Sequence, residues 1–132
     1  MTLVDTNVLL DVITGDPDWA AWSVNRLDAA RLAGPLIIND VIFAEIAVRY
    51  DDLGEVERLL TDMQVRHVDL PRQALFLAAK AFQRYRRHGG TRTGVLPDFF
   101  IGGHAVARNI TLLTRDRRRY ETYFPSVTLI AP

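Results

Sequence analysis

Four acidic side chains stand at places where an acid needs a reason. Asp5 follows the apolar pair Leu3-Val4, and Asp116 lies two residues beyond a run that ends at Thr114. Asp98 comes directly after Pro97, while Glu45 shares a helical face with Val41, Ala44 and Val48. Singly, each has an ordinary explanation. Asp98 and Asp116 can cap helices, Asp5 can close a strand-to-helix turn with Thr6 and Asn7, and Glu45 can pair with Arg49, although a buried ion pair stabilises weakly. Together they pose an electrostatic problem. Two carboxylates about 6 Å apart repel by roughly 3 kcal/mol at an effective dielectric of about 20, and several such pairs approach a domain's whole stability of about 5–15 kcal/mol. Protonation or a bound cation must relieve this. An all-oxygen site suits a hard ion, Mg²⁺ or Mn²⁺; such an ion lowers the pKa of a bound water and stabilises charge on a phosphoryl oxygen.

The elements that would bring these acids together alternate along the chain. Leu3-Val4, Leu36 to Ile38, Val65 to Leu70, Thr111 to Thr114 and Val127 to Ile130 read as strands. Between them lie helical patterns: one stopping at Gly15, one restarted by Asp16-Pro17 and running to Gly34-Pro35, one from Val41 to Tyr50 capped by Asn39 or Asp40, and one from Glu55 to Met63. A long helix follows Pro71, with Leu75, Ala78, Ala79, Phe82 and Tyr85 at helical spacing, then a glycine-bearing loop from Gly89 to Leu96. Helices from Pro97 to Arg108 and from Arg117 to Tyr123 complete the set. Strict alternation predicts an α/β fold, a parallel sheet of four to five strands covered by helices on both faces. Ligands in such sheets bind beyond the carboxyl ends of the strands, where Asp5 and Asp116 both fall. Asp98, in a first helical turn, sits where the helix dipole favours an anion.

Composition bounds the reading further. The chain has 132 residues, 48% of them hydrophobic, and no cysteine. One domain over 1–132 with its own core is expected, and thiol nucleophiles, zinc-thiolate sites and disulfides are excluded. No signal-peptide pattern or membrane-length apolar run is present, so a cytoplasmic protein is expected. Charge is zero overall, but residues 1–69 hold 13 acids and 5 arginines, whereas residues 70–132 hold 3 acids and 11 basic residues. A basic half suggests an anionic partner. Arg115, Arg117, Arg118 and Arg119 flank Asp116, and Arg84, Arg86, Arg87 and Arg92 cluster near the end of the long helix. These are the candidate phosphate contacts, against the plainer reading of solvated helix ends. His67, His88 and His104 show no metal-ligand spacing; His104, in a helix with Gly102 and Gly103, reads as a packing residue where a neighbouring element comes close. Trp19 and Trp22, three apart, read as core, or as part of a groove for a partner helix.

The ordered set Leu3-Val4-Asp5-Thr6-Asn7, Glu45, Asp98 to Ala105 and Leu112-Leu113-Thr114-Arg115-Asp116 resembles the PIN-domain nucleases, especially VapC toxins of type II toxin–antitoxin pairs. The resemblance spans the chain and implies a PIN-like three-layer α/β/α sandwich and a Mg²⁺-dependent endoribonuclease cutting structured RNA of the tRNA or rRNA class. It implies a cognate antitoxin, an RNA substrate and a homodimer, with no membrane association. The family's acidic positions fall on Asp5, Glu45, Asp98 and Asp116, with Asp5, Asp98 and Asp116 as metal ligands and Asn7 and Thr114 in support. A haloacid-dehalogenase phosphatase would need a second acid where Asn7 stands, and a P-loop is absent. The competing class is a catalytically silent RNA- or protein-binding module of the same fold.

Overall fold

The computed structural model describes residues 1–132. In chain order the elements are β1 (Thr2–Val4), α1 (Thr6–Thr14), α2 (Ala20–Ala33), β2 (Leu36–Ile38), α3 (Asp40–Ala47) and α4 (Leu53–Asp62). There follow β3 (Val65–His67), α5 (Arg72–Arg87), α6 (Pro97–Ala107), β4 (Thr111–Leu113), α7 (Arg117–Glu121) and β5 (Leu129–Ile130). All five strands are parallel, in the order β3-β2-β1-β4-β5. Successive residues of β1, β2 and β4 are buried whichever way they point, among them Leu3, Val4, Ile37, Ile38, Leu112 and Leu113. Both faces of the sheet are therefore covered, as an all-parallel sheet requires.

The chain winds outward from β1 to β2 to β3, then crosses back to place β4 on the other side of β1. That reversal opens a crevice at the carboxyl ends of β1 and β4, the expected ligand position in an open α/β sheet. The register sets Asp5 level with Thr114. Val4 pairs with Leu113, and the ladder continues one step through Asp5 N–H to the Leu113 carbonyl at 2.9 Å.

Two helices are held by identifiable local contacts. Asn39 caps α3, its side-chain oxygen accepting from the N–H groups of Val41 and Ile42 at 3.1 Å each, while its amide nitrogen meets His104 Nδ1 at 3.2 Å. An amide can only donate there, so Nδ1 accepts. His104 is accordingly a buried packing residue; burial, then Arg108, lowers its pKa. In α6, a Cβ on Gly103 would lie 2.7 Å from the Ala74 carbonyl of α5, and one on Gly102 would lie 2.4 Å from the Phe124 ring. The two glycines thus permit the close approach that offsets their cost of about 1 kcal/mol each in a helix interior.

Several boundaries differ from the sequence reading. Pro17 does not begin a helix: Asp16 accepts from the N–H groups of Asp18 and Trp19 at 2.8 and 2.9 Å, closing one turn before α2 starts at Ala20. The third strand ends at His67, short of Leu70, with one more bond from the Val68 N–H to the Ile38 carbonyl at 2.9 Å, and α3 stops at Ala47 rather than Tyr50.

Candidate active site

Asp5 is the most buried of the four acids, 2% exposed. Its Oδ2 accepts from the hydroxyls of Thr114 and Tyr120, both at 2.8 Å, and from the Asn7 amide at 3.5 Å. Asn7 Nδ2 also reaches Thr114 Oγ1 at 3.4 Å, and the Asp116 N–H donates to that same oxygen at 3.1 Å. The two supporting residues expected from the sequence therefore tie β1 to β4 around one carboxylate. Burial raises the pKa of Asp5, opposed by the hydrogen bonds from Thr114 and Tyr120. Burial, then the charges of Asp5 and Asp98, push the Tyr120 phenol well above its usual range, so it stays a donor.

Asp98 projects into the same crevice from the first turn of α6, and Asp116 caps α7, accepting from Arg119 N–H at 3.1 Å. Arg119 closes over both: its Nε lies 3.1 Å from Asp98 Oδ2 and 3.1 Å from Asp116 Oδ2. Even so, Asp98 is pushed up to about 6, first by burial and then by the charges of Asp5, Glu45 and Asp116, with Arg119 opposing. The charges of the other three acids thus all reach Asp98. Glu45 reaches the group from α3, its Oε1 accepting from Thr6 Oγ1 at 2.7 Å. It is half-buried, not enclosed as its apolar helix suggested, and it makes no ion pair with Arg49. No three of the His, Asp or Glu side chains are arranged to grip one ion as they stand; the cation among them is Arg119.

The arginines proposed for phosphate divide into two sets. Arg115 pairs with the buried Asp11 at 2.8 Å and lies over the Trp19 ring, 5.2 Å from its centre. Arg117 pairs with Glu121 at 3.3 Å, Arg84 donates to the Tyr123 carbonyl, and Arg86 donates to the Gly90 and Arg92 carbonyls. These hold structure. The side chains of Arg87, Arg92 and Arg118 are exposed and donate to no group of the protein. Trp19 and Trp22 meet edge to face at 5.8 Å and are both half-buried, with Trp22 packed against the core.

Sequence reasoning overlooked two contributors. The sequence offers Thr6 only as a turn residue, yet it holds Glu45. Tyr120 follows a run of three arginines, and nothing local marks it as the residue buried against Asp5.

A family profile described as PIN domain matches residues 2–125. The chain belongs to the PIN domain family. Its fold is shared with solved structures of low sequence identity. VapBC2 from Rickettsia felis bound to a DNA fragment from its promoter is 18% identical, with a TM-score of 0.74, 99% of this chain and 98% of that one being covered. DNA-bound VapBC from Salmonella typhimurium is 19% identical at a TM-score of 0.69, covering 98% and 96%. A toxin–antitoxin complex from Klebsiella pneumoniae is 20% identical at 0.65, covering 91% and 90%. No curated protein matches the sequence. No helix of this PIN domain is long and apolar enough to cross a membrane.

Proposed function

We propose that this PIN domain is a divalent-metal-dependent endoribonuclease, the toxin of a toxin–antitoxin pair. The observation that carries the reading is the gathering of carboxylates at one crevice, where burial first and then the charges of Asp5, Glu45 and Asp116 raise Asp98 to about 6 even with Arg119 lying between it and Asp116. The donor set fits Mg²⁺ or Mn²⁺: it is all oxygen, it carries surplus negative charge, and it already accepts one cation. Asp5, Asp98 and Asp116 would hold the ion, with Glu45 acting directly or through water. Bound there, it would supply a water of lowered pKa and an electrophile for the phosphoryl oxygen.

The chain's own residues prepare this chemistry. Thr114, Tyr120 and Asn7 all donate to Asp5 Oδ2, which fixes the carboxylate. Thr6 orients Glu45. Arg119, 44% exposed, can turn outward to a phosphate once another cation takes its place between the acids. Because water is the nucleophile, the ribose 2′-hydroxyl takes no part, and the products carry 5′-phosphate and 3′-hydroxyl ends. The antitoxin partner is supported by the solved complexes that share the fold.

A silent binding module would account for one observation, the double ion pair of Arg119, as a permanent neutralisation of the acids. Incubating the protein with an RNA pool decides between the readings: cleavage in Mg²⁺ that stops in excess EDTA supports the nuclease. Intact RNA under both conditions, or 2′,3′-cyclic phosphate ends, refutes it. Growth arrest on expression without the partner is the cellular counterpart.

A further inference from the structure

Asp11 carries a carboxylate into the interior and takes no part in the hydrolytic scheme. It stands on α1, 2% exposed, and its Oδ2 accepts from Ser23 Oγ of α2 at 2.6 Å and from Arg115 Nε at 2.8 Å. Ser23 is itself fully buried. The Trp19 ring covers the Arg115 guanidinium, whose carbon lies 5.2 Å from the ring centre. Arg115 is gripped a second time by the same helix, its backbone N–H donating to Asn7 Oδ1 at 3.2 Å. Asn7 and Asp11 are four residues apart on α1 and so share one face. That face clamps a single residue of the connection between β4 and α7, by main chain and by side chain. Arg115 stands between Thr114, which donates to Asp5, and Asp116.

We propose that Asp11 is a positioning residue for the acid cluster, acting through Arg115 to fix Thr114 and Asp116 against Asp5. The inference rests on the nuclease reading and deepens it, because it gives a residue outside the crevice a role in the geometry of the metal ligands. Desolvating two charges offsets much of their attraction, so a buried ion pair is a weak source of stability. What this pair supplies is a fixed geometry. Without it, Arg115 would be tied to α1 by the Asn7 contact alone, and Asp116 would lose the anchor next to it in the chain. The plainer role for Arg115, a contact to an RNA phosphate, is disfavoured because its Nε is committed to Asp11 and Trp19 covers its face. Partners that orient metal ligands without touching the ion change metal affinity or activity by about 10–100-fold when removed. Asp11 acts one contact further out, so an effect of about tenfold is expected.

The test compares Asp11→Asn, Arg115→Gln and the double variant with the wild type, by steady-state cleavage of RNA in Mg²⁺ and by calorimetric titration of Mn²⁺. Each single change should lower kcat about tenfold, leave KM within about twofold, and weaken Mn²⁺ binding by a factor similar to the loss in kcat. Arg115→Gln leaves the Asp11 charge buried without its partner and should melt lowest, whereas the double variant removes both charges and should melt above it. The kcat and Mn²⁺ affinity of the double variant should still stay as low as those of the single variants, which separates positioning from stability. The clamp is overturned if kcat and Mn²⁺ affinity recover with the melting temperature in the double variant, or if either single variant matches the wild type. It is equally overturned if Arg115→Gln raises KM and reduces the salt slope while Asp11→Asn does neither, the behaviour of a phosphate contact. A wild type that leaves RNA intact in Mg²⁺ marks failure of the nuclease reading. The clamp is then judged on Mn²⁺ affinity alone, and a wild type that binds no Mn²⁺ overturns it.

Discussion

Asp98→Asn should stabilise the protein when no divalent ion is present. Burial and three neighbouring carboxylates raise Asp98 from 3.8 to about 6, a gap of about two pH units, worth roughly 3 kcal/mol. The side chain is 26% exposed, so little of this is lost to solvent screening. Because the folded value is raised, the stabilisation associated with protonated Asp98 is complete below pH 3.8 and is lost as pH climbs through about 6. At pH 7.5 the wild type thus lacks roughly 3 kcal/mol that an asparagine, neutral at every pH, retains. Near pH 4.5 the gap should shrink to less than half. Asparagine also pairs less well with Arg119, so a net gain of about 1–3 kcal/mol is expected, a rise in Tm of at least about 3 °C for a domain this size. Thermal melts of both proteins in EDTA at pH 4.5 and 7.5 read this directly, and saturating Mg²⁺ should raise the wild type but not the variant. A variant that melts below the wild type in EDTA at pH 7.5, or a difference that is the same at both pH values, would refute the electrostatic reasoning.

Three further outcomes follow from the contacts. Arg119→Gln should lower metal-free stability by only about 1 kcal/mol, since the guanidinium is partly solvated, and should raise Mn²⁺ affinity severalfold; weakened Mn²⁺ binding in a titration would show that Arg119 assists the ion instead of competing with it. Tyr120→Phe removes a buried hydrogen bond to a carboxylate and should cost about 1.5–3 kcal/mol in chemical denaturation; a neutral result would mean that the phenol does not hold Asp5. Gly103→Ala would set a methyl 2.7 Å from the Ala74 carbonyl, and a loss of about 1–3 kcal/mol is expected from forcing α5 and α6 apart; unchanged melting would show that the interface has slack.

The acids were legible because their positions follow from chain punctuation. Strand ends place Asp5 and Asp116, a helix-opening proline places Asp98, and period 3.6 places Glu45. The five parallel strands were legible for the same reason, as short apolar runs between helical patterns. Contacts that depend on side-chain direction across long sequence separations were not. Tyr120 meets Asp5 across 115 positions, and nothing local distinguishes it from a surface tyrosine. The arginine run shows the limit most clearly. A helix turns about 100° per residue, so three identical neighbours meet three environments: Arg117 pairs with Glu121 one turn on, Arg118 is left free, and Arg119 swings back to the acids. Composition marks that segment as basic and says nothing of this division. Glu45 was misjudged in degree, because an apolar helix face predicts enclosure while the crevice between β1 and β4 leaves that carboxylate half in solvent.

Calorimetric titration of Mn²⁺ into the wild type and into Asp5→Asn, each also assayed on an RNA pool, bears most directly on the convergence of the acids. A shared metal centre requires saturable binding by the wild type, at least tenfold weaker binding by the variant, and RNA cleavage that disappears with it. Equal Mn²⁺ affinity in the two proteins, or cleavage that persists in the variant, would contradict it.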